Sequence, residues 1–141
     1  MQKRLSDEEF TNLLKRFRKD IDITPDNLEH KILEPPKLYV KYRKLYFDQR
    51  RVLININSDI KKARKKADHY YMFDYDYNLP TKGDREVQVE GDDAMVDLYT
   101  EYERQTDIVD FLKGALKEIS DLGYKIHSYI DYMKLKNGIM T

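Results

Sequence analysis

"LYVKYRKLYFDQRRVLININSDIKKARKKADHYY" runs from Leu38 to Tyr71, and its reading decides the fold. Leu38, Tyr42, Leu45, Gln49, Val52, Ile56, Ile60, Ala63, Ala67 and Tyr70 step by three or four, which is the seam of an α-helix. Val52 to Ile56 is dense in β-branched residues and alone would pass for a strand. The seam continues on both sides of it and favours helix. Two successive four-residue steps, Val52 to Ile56 to Ile60, form a stutter that locally relaxes a left-handed supercoil. The spacing predicts one long basic helix over 37–77.

The charge on this segment is one-sided. From Lys37 to Ala67 there are eleven Lys/Arg against two acids, Asp48 and Asp59, a balance of +9. From Asp68 to Asp110 there are three Lys/Arg against thirteen Asp/Glu, a balance of −10, so the chain's net charge of zero conceals two opposed elements. At 100° per residue Lys37, Lys41, Lys44, Arg51, Lys62 and Lys66 share a stripe beside the apolar seam, while Arg43, Arg50, Lys61 and Lys65 flank the other side. A solvated bundle face is one reading of such a stripe. Solvated helices, however, mix signs to gain i,i+4 pairs, and the shortage of acids here favours a polyanion surface.

Outward from the long helix, Ser6 with Glu9 three residues later reads as a capping box, opening a helix to about Lys19 with Phe10, Leu13, Leu14 and Phe17 on one face. Thr24-Pro25 reads as an N-cap and N1 proline of a second short helix to about Leu33, and Pro35-Pro36 as a break. Residues 78–91 carry Pro80 and Gly83 and lose periodicity, predicting a loop with a short extended piece at Glu86–Glu90. A second long helix follows over 92–122, with Met95, Leu98, Tyr102, Gln105, Val109, Leu112, Leu116 and Ile119 on one seam. Ile108, Phe111, Ala115 and Leu122 add a second seam, which calls for another helix or another subunit. Gly123 reads as a C′ stop before a last helix over 124–138, with Ile126, Ile130 and Met133 turned inward. The fold class expected is all-α. The two long helices pair as an antiparallel hairpin within a single domain, with short N- and C-terminal helices (1–36 and 124–138) and an irregular central loop.

Enzymatic chemistry has little to stand on. No Gly-rich phosphate loop is present, and the chain has no cysteine, so disulfides and thiolate chemistry are excluded and a reducing cytoplasm is compatible. His30, His69 and His127 are far apart; His127 and Asp131 are an i,i+4 surface pair and two ligands do not make a metal site. No cofactor or metal is expected. With 37% charged residues, no long apolar run and no signal-peptide pattern, no membrane is expected either.

The run "KKARKK" at 61–66 is followed at once by "HYYMFDYDY" at 69–77. Cations that track phosphates beside rings that stack on bases are the means of sequence-tolerant single-strand binding. The same rings could instead pack against the second long helix. The candidate contacts with a single strand of nucleic acid are Lys61, Lys62, Arg64, Lys65 and Lys66, with Lys41, Lys44 and Arg51 upstream and Tyr71 on the aromatic side.

Two blocks of this chain resemble the UvsY family of recombination mediators from T-even-type phages. One is the basic helix from "LYVKY" to "HYY"; the other is "DFLKGALKEISDLGYKIHSYIDYM", where Asp110-Phe111, Gly114-Ala115-Leu116, Ile119, Gly123, Ile126, Ile130 and Met133 agree without a gap. The basic positions that match are Lys65 with Arg64 and Lys66, while one basic position of the family falls on Ala67. After the tyrosine pair the family tends to a small residue and glycine, where this chain has "MFDYDYNLP".

The resemblance implies a non-enzymatic accessory factor acting in the cytoplasm of an infected bacterium. Such a factor forms a ring-shaped homo-oligomer of six or seven subunits and binds single-stranded DNA. It weakens the hold of single-strand-binding protein and helps load a RecA-like recombinase. The expected subunit contacts are Ile108, Phe111, Leu112, Ala115, Leu116, Ile119 and Leu122, continuing through Ile126, Ile130 and Met133. A helical scaffold whose separated charges serve only subunit docking is the alternative.

Overall fold

The structure, a computed structural model, describes residues 3–138, among which there is no strand. Its helices are α1 (Asp7–Asp20), α2 (Leu28–Lys31), α3 (Pro35–His69), a π-helical turn (Tyr70–Asp74), α4 (Lys82–Glu90) and α5 (Asp93–Lys136). The fold is all-α. The chain forms two compact units, Gln49–Val109 and Lys3–Asp48 with Asp110 onward, and α3 and α5 each contribute to both.

In the second of these units the capping box forms as the spacing requires. Ser6 Oγ accepts from the Glu9 amide at 3.1 Å, and Glu9 Oε1 accepts from the Ser6 amide at 3.3 Å. These bonds to Ser6 hold the Glu9 carboxyl below the ordinary carboxylate range. Leu13 and Phe17 are buried, and the Phe17 ring lies edge-on to both Tyr42 of α3 (5.2 Å) and Phe111 of α5 (5.5 Å). Phe10 meets Phe111 from the same side at 5.7 Å. The far end of α1 is caught by a buried lysine: Lys31 Nζ donates to the carbonyl of Asp20 at 2.7 Å and reaches Glu34 at 3.1 Å. A cation on the orphan carbonyls of a helix C-terminus favours both the hydrogen bonds and the macrodipole.

Three expectations are corrected in this unit. Thr24 and Asn27 exchange side chain-to-backbone bonds (2.8 and 3.3 Å) that close a turn around Pro25, so the helix begins only at Leu28 and ends at Lys31. Pro35 and Pro36 do not break the chain but start α3, where the missing N–H groups would have had no helical partner. Gly123 does not stop a helix: α5 runs unbroken to Lys136, and the chain turns at Gly138 (φ 69°). A mid-helix glycine costs about 1 kcal/mol relative to alanine, less than the flanking burial of Leu122 and Ile126 provides.

In the Gln49–Val109 unit, α3 and α5 run antiparallel, with Gln49 opposite Gln105 and Arg64 opposite Tyr99. Val52, Ile56, Ile60, Val89 and Met95 form the core. The region expected as a loop contains α4, capped by Thr81 Oγ1 accepting from the Asp84 amide at 3.1 Å. The alternation in "EVQVE" is therefore not a strand: Val89 is buried and Val87 faces out, two helical positions apart.

The long helix expected to 77 ends at His69 in the wider π turn. Tyr71, not Tyr70, packs against the core, and its hydroxyl donates to Asp92 Oδ2 at 3.0 Å.

Two measurements check this architecture. Nothing lies within 4 Å of a Cβ built on Gly123. Gly123→Ala should therefore raise stability by about 1 kcal/mol in urea unfolding; a loss would mean the glycine ends a helix after all. Burial first, then the bond to Asp92, raises the Tyr71 phenol to about 12. The neutral phenol is the form the fold favours. Its contribution should hold up to the ordinary tyrosine range near pH 10 and disappear as pH rises through 12. Ultraviolet titration should show a late-ionising tyrosine that is absent from Tyr71→Phe.

Candidate nucleic-acid interface

The basic run occupies the last turns of α3, where Lys66 and His69 also oppose the negative end of the helix dipole. Lys61, Lys62, Lys65 and Lys66 are exposed, and none of them makes an ion pair among the described residues. Lys61 and Lys65 turn toward α4, where they line an open cleft of about 390 Å³ with Arg64, Lys82, Glu86 and Glu90. Lys66 lies by a smaller hollow of about 270 Å³ bordered by Ala63, Tyr70, Asp92 and Met95.

Arg64 differs from its neighbours. Its guanidinium pairs with Glu90 at 2.9 Å, bonds the Tyr99 hydroxyl, and lies 5.9 Å from the centre of that ring. The Tyr99 hydroxyl in turn donates to Glu90 Oε1 at 3.2 Å. The bond to Tyr99 raises the Arg64 pKa further, so the charge is permanent but engaged by Tyr99 and Glu90. Arg85 of α4 faces Asp68 of α3 at 3.6 Å.

The candidates from upstream divide. Lys41 belongs to the other unit and gives its charge to Asp20 at 3.4 Å, beside the Tyr42 hydroxyl, which donates to the same carboxylate at 2.7 Å. Burial and that bond push the Tyr42 phenol well above its ordinary range. Lys44 and Arg51 are exposed on α3, in the two different units. Tyr71 is turned to the core, while Tyr70 faces out.

The residues assigned to subunit contact are also redistributed. Ile108, Leu112, Ala115, Ile119, Leu122 and Ile126 are buried within one chain. The second seam has its partner in α1, through Phe10 and Phe17 on Phe111. Phe111, Leu116, Ile130 and Met133 are only half-buried.

Sequence reasoning missed Lys82, Glu86, Glu90 and Tyr99 as neighbours of the basic run. The signal was present: Thr81 with Asp84 three residues on is a helix-start pattern, and it would have placed α4. His127 and Asp131 form the anticipated i,i+4 surface pair at 3.4 Å. No cluster of three or more metal-ligating side chains occurs among the described residues, and no helix there is long and apolar enough to cross a membrane.

Comparison with known proteins places this geometry in context. The model of the family described as "Recombination, repair and ssDNA binding protein UvsY" matches residues 16–139. No match was found among curated protein sequences. Crystal structures of the bacteriophage T4 recombination mediator protein UvsY share the fold. One superposes with a TM-score of 0.78 at 20% identity, covering 90% of this chain and 98% of that one. A second lattice gives 0.77 at 21% identity, covering 95% and 99%. With the family model matched over nearly its whole length, this chain belongs to the UvsY family.

Proposed function

We propose that this protein is a non-enzymatic recombination and repair factor that binds single-stranded DNA on the exposed face of the basic run. The observation that carries the reading is Lys61, Lys62, Lys65 and Lys66: four exposed ammonium groups within six residues, none of them in an ion pair among the described residues. Membership of a family described by recombination, repair and single-strand binding supports the same polyanion. Phosphates, not bases, are the ligands such a track can hold, so recognition is tolerant of sequence.

In this reading the protein weakens single-strand-binding protein on DNA and favours nucleation of a RecA-like recombinase filament. Arg64 is a reserve contact, held by Glu90 until a phosphate competes for it. Assembly into rings of six or seven subunits belongs to the same proposal. Ile108, Leu112, Ala115, Ile119, Leu122 and Ile126 are already covered within the single chain, so exposed side chains are the readier contacts. Tyr124, Tyr132 and Leu135, exposed on one face of the last turns of α5, are the surface that fits.

Two experiments test these points. Affinity for oligo-dT measured across a salt series should fall with a slope of about −0.7 per phosphate neutralised. Lys62→Ala with Lys66→Ala should weaken binding and flatten the slope by about 1.4, whereas Glu90→Gln, by freeing Arg64, should steepen it by up to about 0.7. A slope near zero in the unaltered protein would refute the DNA reading. For assembly, Tyr132→Glu with Leu135→Glu should lower the sedimentation coefficient while helicity is retained. An unchanged coefficient would place the contact elsewhere.

A further inference from the structure

The aromatic tract after the basic run has a use that the lysines do not explain. Its rings form two layers. Tyr71 and Tyr75 are half-buried and 4.9 Å apart, and Tyr71 is fixed through its bond to Asp92. Outside them stand Tyr70, Phe73 and Tyr77, which are 46%, 68% and 72% exposed. Tyr70 rests on Tyr71 at 5.0 Å and Tyr77 on Tyr75 at 5.5 Å, while Phe73 leans on His69 at 4.8 Å. Every one of these contacts is edge-on or tilted, with interplanar angles of 50° to 78°, so none of the outer rings is stacked face to face. Tyr70 and Tyr77 are thus propped from below, Phe73 rests on the exposed His69 ring, and all three leave π surface open.

We infer that Tyr70, Phe73 and Tyr77 form a stacking platform for the unpaired bases of a strand whose phosphates lie on Lys62 and Lys66. The inference rests on the DNA-binding reading above. Lys62, Lys66 and Tyr70 follow one another at four-residue intervals, about 6 Å apart along the axis, so the cations lead directly onto the first ring. The tract is also acidic. Asp74 and Asp76 sit between the rings; Asp74 faces His69 at 3.9 Å, and Asp76 borders a hollow that Arg85 also lines. Carboxylates there repel phosphate but not a neutral base, so the strand's backbone is kept on the lysines and its bases are the part that meets the rings. The large apolar side chains that the tract exposes, Tyr70, Met72, Phe73 and Tyr77, include no branched aliphatic group, which suits planar ligands better than a partner helix.

The test compares oligo-dT with an abasic deoxyribose-phosphate strand of the same length. The two carry the same phosphates, and only the first carries bases. The unaltered protein should bind oligo-dT at least about fivefold more tightly than the abasic strand, the effect of roughly one stacked base. Replacing Tyr70, Phe73 and Tyr77 together by Leu keeps apolar area and removes the π faces. That variant should bind both strands alike, with the salt slope of the unaltered protein, because no phosphate contact has been lost. All three side chains are exposed and the substitution should leave helicity unchanged by circular dichroism. In a chain without tryptophan, Tyr77→Trp gives an independent readout: its fluorescence should be quenched by oligo-dT and not by the abasic strand. Equal binding of both strands by the unaltered protein would overturn the platform and leave the DNA reading standing. So would a Leu variant that still discriminates, and the patch would then belong to a protein partner. Binding of neither strand would overturn both.

Discussion

A buried amide pair sets the register on which the Gln49–Val109 unit depends. Gln105 is buried, and its Nε2 donates to both the backbone carbonyl and the side-chain Oε1 of Gln49, each at 2.9 Å. The neighbouring seam is apolar: Val52, Ile56, Ile60 and Met95. Sliding α5 one turn along α3 would re-form aliphatic contacts of similar quality, but would leave buried amides unpartnered at about 1–3 kcal/mol each. The Gln105 Oε1 has no hydrogen-bond partner among the described residues, which offsets part of what the two donated bonds contribute. The pair's effect is to select one alignment, as a single polar residue does in a coiled-coil seam.

That alignment decides which charges meet. With Gln49 opposite Gln105, each step toward the C-terminus of α3 meets a residue nearer the start of α5. The basic run is thereby brought to the acidic side of the unit, Arg64 to Glu90 and Tyr99, Asp68 to Arg85, Tyr71 to Asp92. Exposed ion pairs of this kind are worth about 0–1 kcal/mol and do not hold the fold. They do sort the cations. Arg64, whose planar fork matches a carboxylate, is taken by Glu90, while the lysines on either side remain available to an external anion. The segment balances of +9 and −10 therefore do not cancel locally.

Features governed by neighbouring residues were legible in the sequence. The Ser6–Glu9 box and the seam from Leu38 to Ile60 depend on spacings of three and four, and both form. The lysine run was legible as exposed cations for the same reason. Features governed by distant contacts were not. The second seam of α5 announced a second partner, yet nothing in its spacing named α1, whose Phe10 and Phe17 close over Phe111. Gly123 carries the local signal of a stop, overridden by packing on both sides of it. Arg64 looked like its neighbours because its restraint comes from α4, a helix masked by the Val87–Val89 alternation. Beyond Ala67 the pattern was ambiguous in principle, since Tyr70 at i+3 and Tyr71 at i+4 both continue a helical seam.

The π turn resolves that ambiguity, and in doing so joins the basic and aromatic chemistries. Tyr71, the second residue of that turn, lies on the core, where the phenol can be buried because Asp92 accepts its hydrogen bond. The residue before it is then carried outward, so the burial of Tyr71 and the exposure of Tyr70 are one geometric event. A glycine stop at this point would have ended α3 equally well and left no rings beyond the lysines. Ending the helix on a wide aromatic turn instead makes the last contact of the core the support for the outer rings. Rigidity at the surface therefore comes from packing beneath it: Tyr71 cannot loosen without releasing Tyr70 and Tyr75, whereas Phe73 and Tyr77 can be changed without disturbing the core.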